Sequence, residues 1–310
     1  MYGNSTERQH SAEVSSLAQE RKSGYANEPV TKTPAWHGII AWDVLLNGMA
    51  TGLFMAAAVS ELAAPKIFIP VAKLAYPVAL LLLLVDLGLL VFDLGDPLRF
   101  HHMLRVFKPG SPMSVGTWCL TILSLPLTAA AVLSLLAEIG MSFEWARIVA
   151  VVMGLLPAFG SAAYKGVLLS TNAQPGWKDA RWLGGYLTNS AVLMGCAELL
   201  VLAALTGQAQ ASAILRVAFI MLLMLNLIPL GLLFRNLQPT HARLYTRAQQ
   251  WGVGTLIFAA GLLIPLGLML LSGGLLCTVL SAIFLLSANW FVRFVYVKIP
   301  HTSPLEPKGE

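Results

Sequence analysis

Charged residues are scarce in this chain of 310 residues: Asp, Glu, Lys and Arg make up 11% of it, whereas hydrophobic residues make up 57%. A soluble globular domain carries about 25% charged residues. The apolar residues are also gathered into runs of roughly 20, the length that a helix needs to cross the hydrocarbon core of a bilayer. The composition excludes an ordinary soluble domain and predicts an all-α integral membrane protein.

Cysteine and histidine are missing from the places where redox centres would need them. Cys119, Cys196 and Cys277 stand singly within apolar runs, without CxxC spacing, so neither an iron–sulfur cluster nor a zinc site is predicted. None of the six histidines lies in the middle of an apolar run, whereas a b-type haem in a bundle takes two facing axial ligands from helices. We therefore expect no haem and no metal in this chain.

The apolar runs number eight and are continuous rather than alternating, which predicts transmembrane helices rather than a β-barrel. Their predicted bounds are 38–64, 71–92, 114–138, 146–170, 183–206, 211–236, 251–271 and 275–298. Two four-helix bundles are a natural packing for eight helices. We expect a first bundle over 36–170 and a second over 171–298, between a polar cytoplasmic N-terminal tail (1–35) and a C-terminal tail (299–310).

Basic residues are distributed unevenly between the two membrane faces. An even number of helices puts both termini on one face, and sixteen Lys and Arg residues fall on that face, Lys165 and Arg293 among them. The four on the other face are Lys66, Lys73, Arg147 and Arg216. Such a bias marks the cytoplasmic side. It predicts cytoplasmic termini, and it assigns the net charge of +5 to topology and to docking of a partner rather than to nucleic acid.

Four polar residues from four predicted helices fall at one depth, roughly 8–10 Å below the face that carries the termini, at about 1.5 Å of rise per residue. They are Asp43, Asp86, Tyr164 and Asn189. Asn47, one turn after Asp43, extends the polar stripe of the first helix. Ionisable residues inside a membrane cost at least about 2–3 kcal/mol each, so they are candidates for a functional site. The alternative is that each one hydrogen-bonds a neighbouring helix or reaches water.

Two further carboxylates, Glu61 and Glu198, fall toward the opposite face. Together with Asp43 and Asp86 they are candidates for a proton path, because carboxylates are the usual relay groups in membranes. For Glu61 a position at the water boundary is the alternative.

Three segments resemble the NrfD / polysulfide reductase membrane-subunit family. DLGDPLRFHHMLRVFKPGSPMSVGTW, over residues 93–118, is similar to the signature loop of that family between its second and third helices. YKGVLLSTNAQPGWKD, over residues 164–179, and WDVLLNGMATG, over residues 42–52, resemble its fourth and first helices. The three segments occur in the family's order, and the resemblance extends over roughly residues 36–298.

The resemblance implies a quinone-reactive membrane anchor of a multi-subunit oxidoreductase, set in the inner (plasma) membrane of a bacterium or archaeon. Such an anchor exchanges electrons between membrane quinone, either menaquinone or ubiquinone, and a ferredoxin-like iron–sulfur subunit. That subunit works with a catalytic subunit, in many relatives of the molybdopterin type. Proton translocation is a further possibility of this class.

The resemblance also assigns residues to the quinone. It places Asp43 and Tyr164 in contact with the quinone, Asp86 as a donor or acceptor of protons, and Arg99 at a position where the family often has a basic group. The polar layer adds Asn47 and Asn189 as further quinone contacts. Two alternatives to this function are a secondary transporter, which would use polar residues at the midplane, and a purely structural membrane anchor.

Overall fold

The computed structural model describes residues 38–93, 96–172, 174 and 176–302, and of residues 97–100 it describes the backbone alone. The predicted N-terminal tail (1–35) and most of the predicted C-terminal tail lie outside these residues. Within the described part of the chain, every regular element is helical and eight helices are long and apolar enough to cross a membrane. The prediction of an all-α membrane protein with eight spanning helices is therefore confirmed.

The eight helices are numbered α1 to α8 in chain order. Their bounds are Ile39–Ala63 (α1), Pro65–Asp93 (α2), Pro112–Glu138 (α3), Glu144–Ser170 (α4), Leu183–Leu205 (α5), Ala209–Leu244 (α6), Arg247–Leu271 (α7) and Leu275–Thr302 (α8). A 3-10 helix, Pro97–Leu104, lies between α2 and α3. The start of α1 and the end of α8 lie on the termini-side face, and the turn between α1 and α2 lies on the far face.

Two of the helices are irregular just before a proline. The segment Leu227–Leu244 of α6 begins after Asn226, and α7 contains a π-helical turn over Ala259–Leu263. Pro229 and Pro265 follow these points. A proline removes one backbone donor and crowds the carbonyl four residues earlier, so the helix is adjusted within the preceding turn.

Helix α6 is longer than predicted. It continues to Leu244 rather than ending near residue 236, and α7 begins at Arg247 with a capping box formed by Thr246 and Gln249. The predicted loop over 237–250 is therefore mostly helical. The polar residues after 236 reduce the hydropathy but do not break the helix. A bound predicted from hydropathy alone therefore falls before the true end of α6.

Helices α1 and α5 lie at the centre of the molecule. Of the 18-residue apolar stretch in each, 72% is buried in α1 and 61% in α5. They approach each other through Gly52 and Gly195. A Cβ atom built on Gly52 would lie 1.9 Å from the carbonyl oxygen of Ala191, and one on Gly195 would lie 1.9 Å from the carbonyl carbon of Gly52. Small residues permit such close backbone packing in membranes. The grouping into two four-helix bundles stays a prediction.

A buried ion pair ties three helices together near the far face. The guanidinium of Arg147 (α4) lies 2.8 Å from the carboxylate of Glu61 (α1), and each side chain is 2% exposed. The hydroxyl of Tyr76 (α2) donates a hydrogen bond of 2.6 Å to the other carboxylate oxygen. Glu61 therefore does not lie at the water boundary, and Arg147 is not a surface charge that sets topology.

We predict that Arg147→Gln lowers the stability of the protein in detergent by about 3–5 kcal/mol, because a buried Glu61 carboxylate loses its partner. The double variant Glu61→Gln/Arg147→Gln should recover most of that loss, since it leaves no net charge. Thermal unfolding followed by size-exclusion chromatography measures both. Equal losses in the single and double variants would contradict a compensating ion pair.

Candidate functional site

Three ionisable side chains from three helices meet inside the membrane near the termini-side face. The Nζ atom of Lys165 (α4) lies 2.9 Å from Oδ1 of Asp43 (α1) and 3.0 Å from Oδ1 of Asp86 (α2). It also donates a hydrogen bond of 3.1 Å to the backbone carbonyl of Asp43. The three side chains are at most 5% exposed. One ammonium group thus pairs with two carboxylates that are shielded from water.

The polar contacts continue from Asp86 toward the interior. The side-chain amide of Asn47 donates to Oδ2 of Asp86 at 3.1 Å and to the hydroxyl of Ser161 at 3.0 Å. Thr51, one turn further along α1, donates to the carbonyl of Asn47 at 2.6 Å. The predicted polar stripe of α1 therefore faces α2 and α4 and completes the hydrogen bonds of Asp86, as buried polar groups require.

A cavity of about 460 Å³ lies beside this cluster. Its walls come from α1, α2, α3, α4 and the 3-10 helix, and they are mostly aliphatic. The hydroxyl groups of Thr117 and Thr121 line it but donate to carbonyls of their own helix. Asp43, Tyr164 and Lys165 also line it. The volume lies within the range of about 300–1,000 Å³ that is usual for small-molecule sites.

Tyr164 occupies the cavity wall because α3 has a glycine opposite its ring. A Cβ atom on Gly116 would lie 1.9 Å from Cδ2 of Tyr164, so no larger residue fits there without moving the ring. Among the described residues, the hydroxyl of Tyr164 has no hydrogen-bond partner. The Nζ atom of Lys165 lies 5.8 Å from the centroid of the Tyr164 ring. Gly116 of the segment SVGTW and Tyr164 of the segment YKG are therefore in direct contact.

The loop that closes the cavity also presents a surface. Met103 and Leu104 of the 3-10 helix line the cavity, and the residues that follow are exposed. Val106 and Phe107 are 61% and 54% exposed. The exposed cations Arg105 and Lys108 flank this apolar pair. Exposed apolar groups rimmed by polar ones are typical of a protein contact surface.

Lys165 was not predicted as a site residue. In the sequence it falls among the topology-setting charges, because it lies near the end of a helix. Arg293 and Arg147 are corrected in the same way, since both are 2% exposed. Without these three residues the bias changes from sixteen against four to fourteen against three, so the predicted orientation keeps its support. The signal that could have revealed Lys165 is its position directly after Tyr164 in an apolar run.

Asn189 does not join the cluster. Its side-chain amide donates a hydrogen bond of 2.9 Å to the side chain of Asn226, where α6 is interrupted, and it does not line the cavity. The prediction that Asn189 shares the depth of Asp43 stays a prediction, and depth alone did not determine the direction of its side chain. The side chain of Asn189 points from α5 toward α6 instead of toward α1 and α4.

The remaining predicted residues are placed apart from the cavity. Glu61 is held by Arg147 and Tyr76 near the far face. Both carboxylate oxygens of Glu198 are buried, without a hydrogen-bond partner among the described residues. Arg99 lies in the 3-10 helix that borders the cavity, but its side chain lies outside the described part of the structure.

The arrangement can bind a flat, amphiphilic molecule and exchange protons with it. Aliphatic walls favour an apolar body. The tyrosine hydroxyl can donate a hydrogen bond, the ammonium contributes a positive charge, and the carboxylate of Asp43 can accept or release a proton. Among residues 38–93, 96–172, 174 and 176–302, no group of three or more His, Cys, Asp or Glu side chains is positioned to hold a metal ion.

Comparison with known proteins assigns the chain to a family. The profile of the family described as "Polysulphide reductase, NrfD" matches residues 27–298, which is most of the chain and includes every helix that forms the cavity. A search of curated proteins found no match. The family comprises membrane subunits of polysulfide reductase-like complexes, which typically associate with iron–sulfur and catalytic subunits. With its eight spanning helices and its signature segments around one cavity, this chain belongs to the NrfD family.

Proposed function

We propose that this chain is the quinone-reactive anchor of a multi-subunit oxidoreductase. It would exchange electrons between the membrane quinone pool and an iron–sulfur partner that works with a catalytic subunit. The observation that carries the proposal is the cavity between α1, α2, α3 and α4, where Asp43, Tyr164 and Lys165 lie in a mostly aliphatic wall. Membership of the NrfD family supports the same role at a coarser level.

The residues present suit a quinone of the menaquinone or ubiquinone type. A quinone supplies the capacity to carry two electrons and two protons, and its two carbonyl oxygens need hydrogen-bond donors. Tyr164 provides a neutral hydroxyl donor, and Lys165, whose ammonium faces Asp43 and Asp86, provides a positive charge at the cavity wall. Leu87 and Leu90 of α2, with Met103 of the 3-10 helix, provide an apolar lining for the isoprenoid tail.

The three polar residues have separate roles in this proposal. Tyr164, with its ring fixed against Gly116, orients one carbonyl oxygen by hydrogen bonding. Lys165 is held by Asp86 and by the backbone of Asp43, so it directs its charge at the cavity without moving. Asp43, one of two carboxylates that line the cavity beside Asp93, is the one paired with Lys165 and can transfer a proton there. Asp86, which does not line the cavity, acts through Lys165.

Asp86 stays a candidate for a proton route away from the cavity, because Lys165 joins it to Asp43. Asn47 donates to both Asp86 and Ser161, so it orients Asp86 and does not itself pass a proton. Glu61 is a weaker candidate for such a route, because its ion pair with Arg147 would have to open. Glu198 is buried without a hydrogen-bond partner among the described residues and stays a candidate.

The partner is proposed to dock on the termini-side face over the signature loop. Residues 105–108 of that loop offer two exposed apolar side chains between two cations, next to residues that line the cavity. An electron carrier placed there lies close to the bound quinone, and the cations suit an acidic partner surface. The distribution of Lys and Arg supports the cytoplasm as the side of the termini, in the inner membrane of a bacterium or archaeon.

We predict that Tyr164→Phe weakens quinone binding about two- to thirteenfold, the effect of losing one hydrogen bond of about 0.5–1.5 kcal/mol. Quinone extracted from the purified, partner-bound protein and titrated back into delipidated protein measures the change. Tyr186→Phe is the matched control, because that tyrosine is buried in α5 and bonds Asn289 outside the cavity. Equal occupancy in both variants would remove Tyr164 from the site.

Gly116→Ala should displace the ring of Tyr164, because its new methyl group would overlap Cδ2. We expect quinone occupancy to fall at least as far as in Tyr164→Phe, together with a destabilisation of about 1–3 kcal/mol from overpacking. Gly88→Ala is the control, since it is also helical and its methyl group would meet open space. Full occupancy in Gly116→Ala would show that the position of the ring is unimportant.

Asp43→Asn should lower the activity of the complex without lowering the stability of this chain. With both carboxylates ionised the cluster carries one net negative charge, and the variant leaves Lys165 and Asp86 as a neutral pair. Melting temperature should therefore be retained, whereas quinone-dependent turnover of the assembled complex should fall by about 10²–10⁴, the usual contribution of acid–base catalysis. Lys165→Met, in contrast, should destabilise the fold by leaving two unpaired carboxylates.

Turnover of Asp43→Asn within twofold of wild type would refute the assigned proton transfer. Lys66→Met is the control for the lysine variant, because Lys66 is exposed at the far face.

A further inference from the structure

A second cavity lies at the termini-side face between α6, α7 and α8. Its volume is about 300 Å³, and none of its lining residues belongs to the cavity beside Asp43. Leu233 and Ile257 lie at one end and His241 at the other. Eight residues of α6 separate Leu233 from His241, which is about 12 Å of helix. The cavity is thus an apolar slot that runs from near the membrane surface toward the interior.

One buried polar atom in this slot lacks a partner. Nε2 of His241 is inaccessible to solvent and makes no hydrogen bond within the described part of the chain. The ring lies between Phe234 and Tyr245, with centroid distances of 6.3 and 5.9 Å, so its position is fixed by aromatic contacts along one face of α6. A ligand in the slot cannot reach Nε2 unless the imidazole ring turns, so this atom by itself identifies no ligand.

The charge around the slot is of one sign. No Asp or Glu occurs between Leu199 and Leu305, whereas that stretch contains six Arg and Lys residues. Four of them are exposed near the slot's end of the helices: Arg235, Arg243, Arg247 and Lys298. Lys298 itself lines the slot, with Nζ 4.5 Å from the ring centroid of Phe294. The nearby Asp179 bonds the backbone of Gly176 and the hydroxyl of Thr240, and it does not line the slot.

We propose that this slot binds one anionic phospholipid of the adjacent leaflet, with an acyl chain between α6, α7 and α8 and the phosphate at Lys298. Basic pockets between membrane helices are typical sites for anionic headgroups. His241 and Lys298 line the slot three and four residues before the ends of α6 and α8, so its charged end is the one nearest the termini-side face.

Native mass spectrometry of the purified full-length protein tests the proposal. The probes are dioleoyl phosphatidylglycerol and dioleoyl phosphatidylcholine, which share their acyl chains and differ in headgroup charge. We expect wild type to bind one phosphatidylglycerol in preference to phosphatidylcholine. Lys298→Gln should weaken phosphatidylglycerol binding about fivefold, the effect of one cation near an anionic surface. That residue is exposed, so its substitution leaves folding intact.

Val253→Trp should fill the slot and abolish binding of the lipid, because Val253 lines it. Leu256→Trp is the matched control on the same helix, since Leu256 is 53% exposed and outside the slot. Binding in Val253→Trp equal to that in Leu256→Trp would overturn the proposal, and so would equal affinity of wild type for both phospholipids. Displacement of phosphatidylglycerol by added menaquinone would overturn it in favour of a second quinone site.

Discussion

An ammonium group that cannot reach water must be surrounded by acceptors before the helices around it can pack. Lys165 meets this condition through Asp43 on α1 and Asp86 on α2, so three helices are placed relative to one another by one side chain. Asn47, Ser161 and the cavity wall follow from that placement. Because the penalty for an unpaired buried charge is large, few other packings of these helices satisfy the same groups.

The sequence predicted the number of helices, because the length of the apolar runs determines it, and the depth assigned to the polar groups stays a prediction. It did not predict direction. A residue at a given depth can face any neighbouring helix, and Asn189 faces Asn226 rather than Asp43. Lys165 was not predicted as a site residue for a related reason. A lysine near a helix end usually reaches the surface, and only the positions of Asp43 and Asp86 explain why Lys165 stays buried.

Three buried cations occupy three different environments in the described residues. Lys165 has two carboxylates, Arg147 has one, and Arg293 has none but bonds Asn289 and the hydroxyl of Ser190. Arg293 also lies against Gly48, where a Cβ atom would come within 3.2 Å of it. The neutral partners of Arg293 join α8 to α5, so this cation contributes to helix packing without a counter-charge, apart from the cavity.

The contact between Gly116 and Tyr164 links two parts of the chain that are far apart in sequence. Gly116 lies in the first turns of α3, directly after the exposed loop, and Tyr164 lies in the cavity wall. A rigid-body tilt of the start of α3 would therefore push on the aromatic ring without any change in the cluster of Lys165. Among relatives, a bulkier residue at the glycine position should be accompanied by a smaller one at the tyrosine position, so the two sites are expected to covary during evolution.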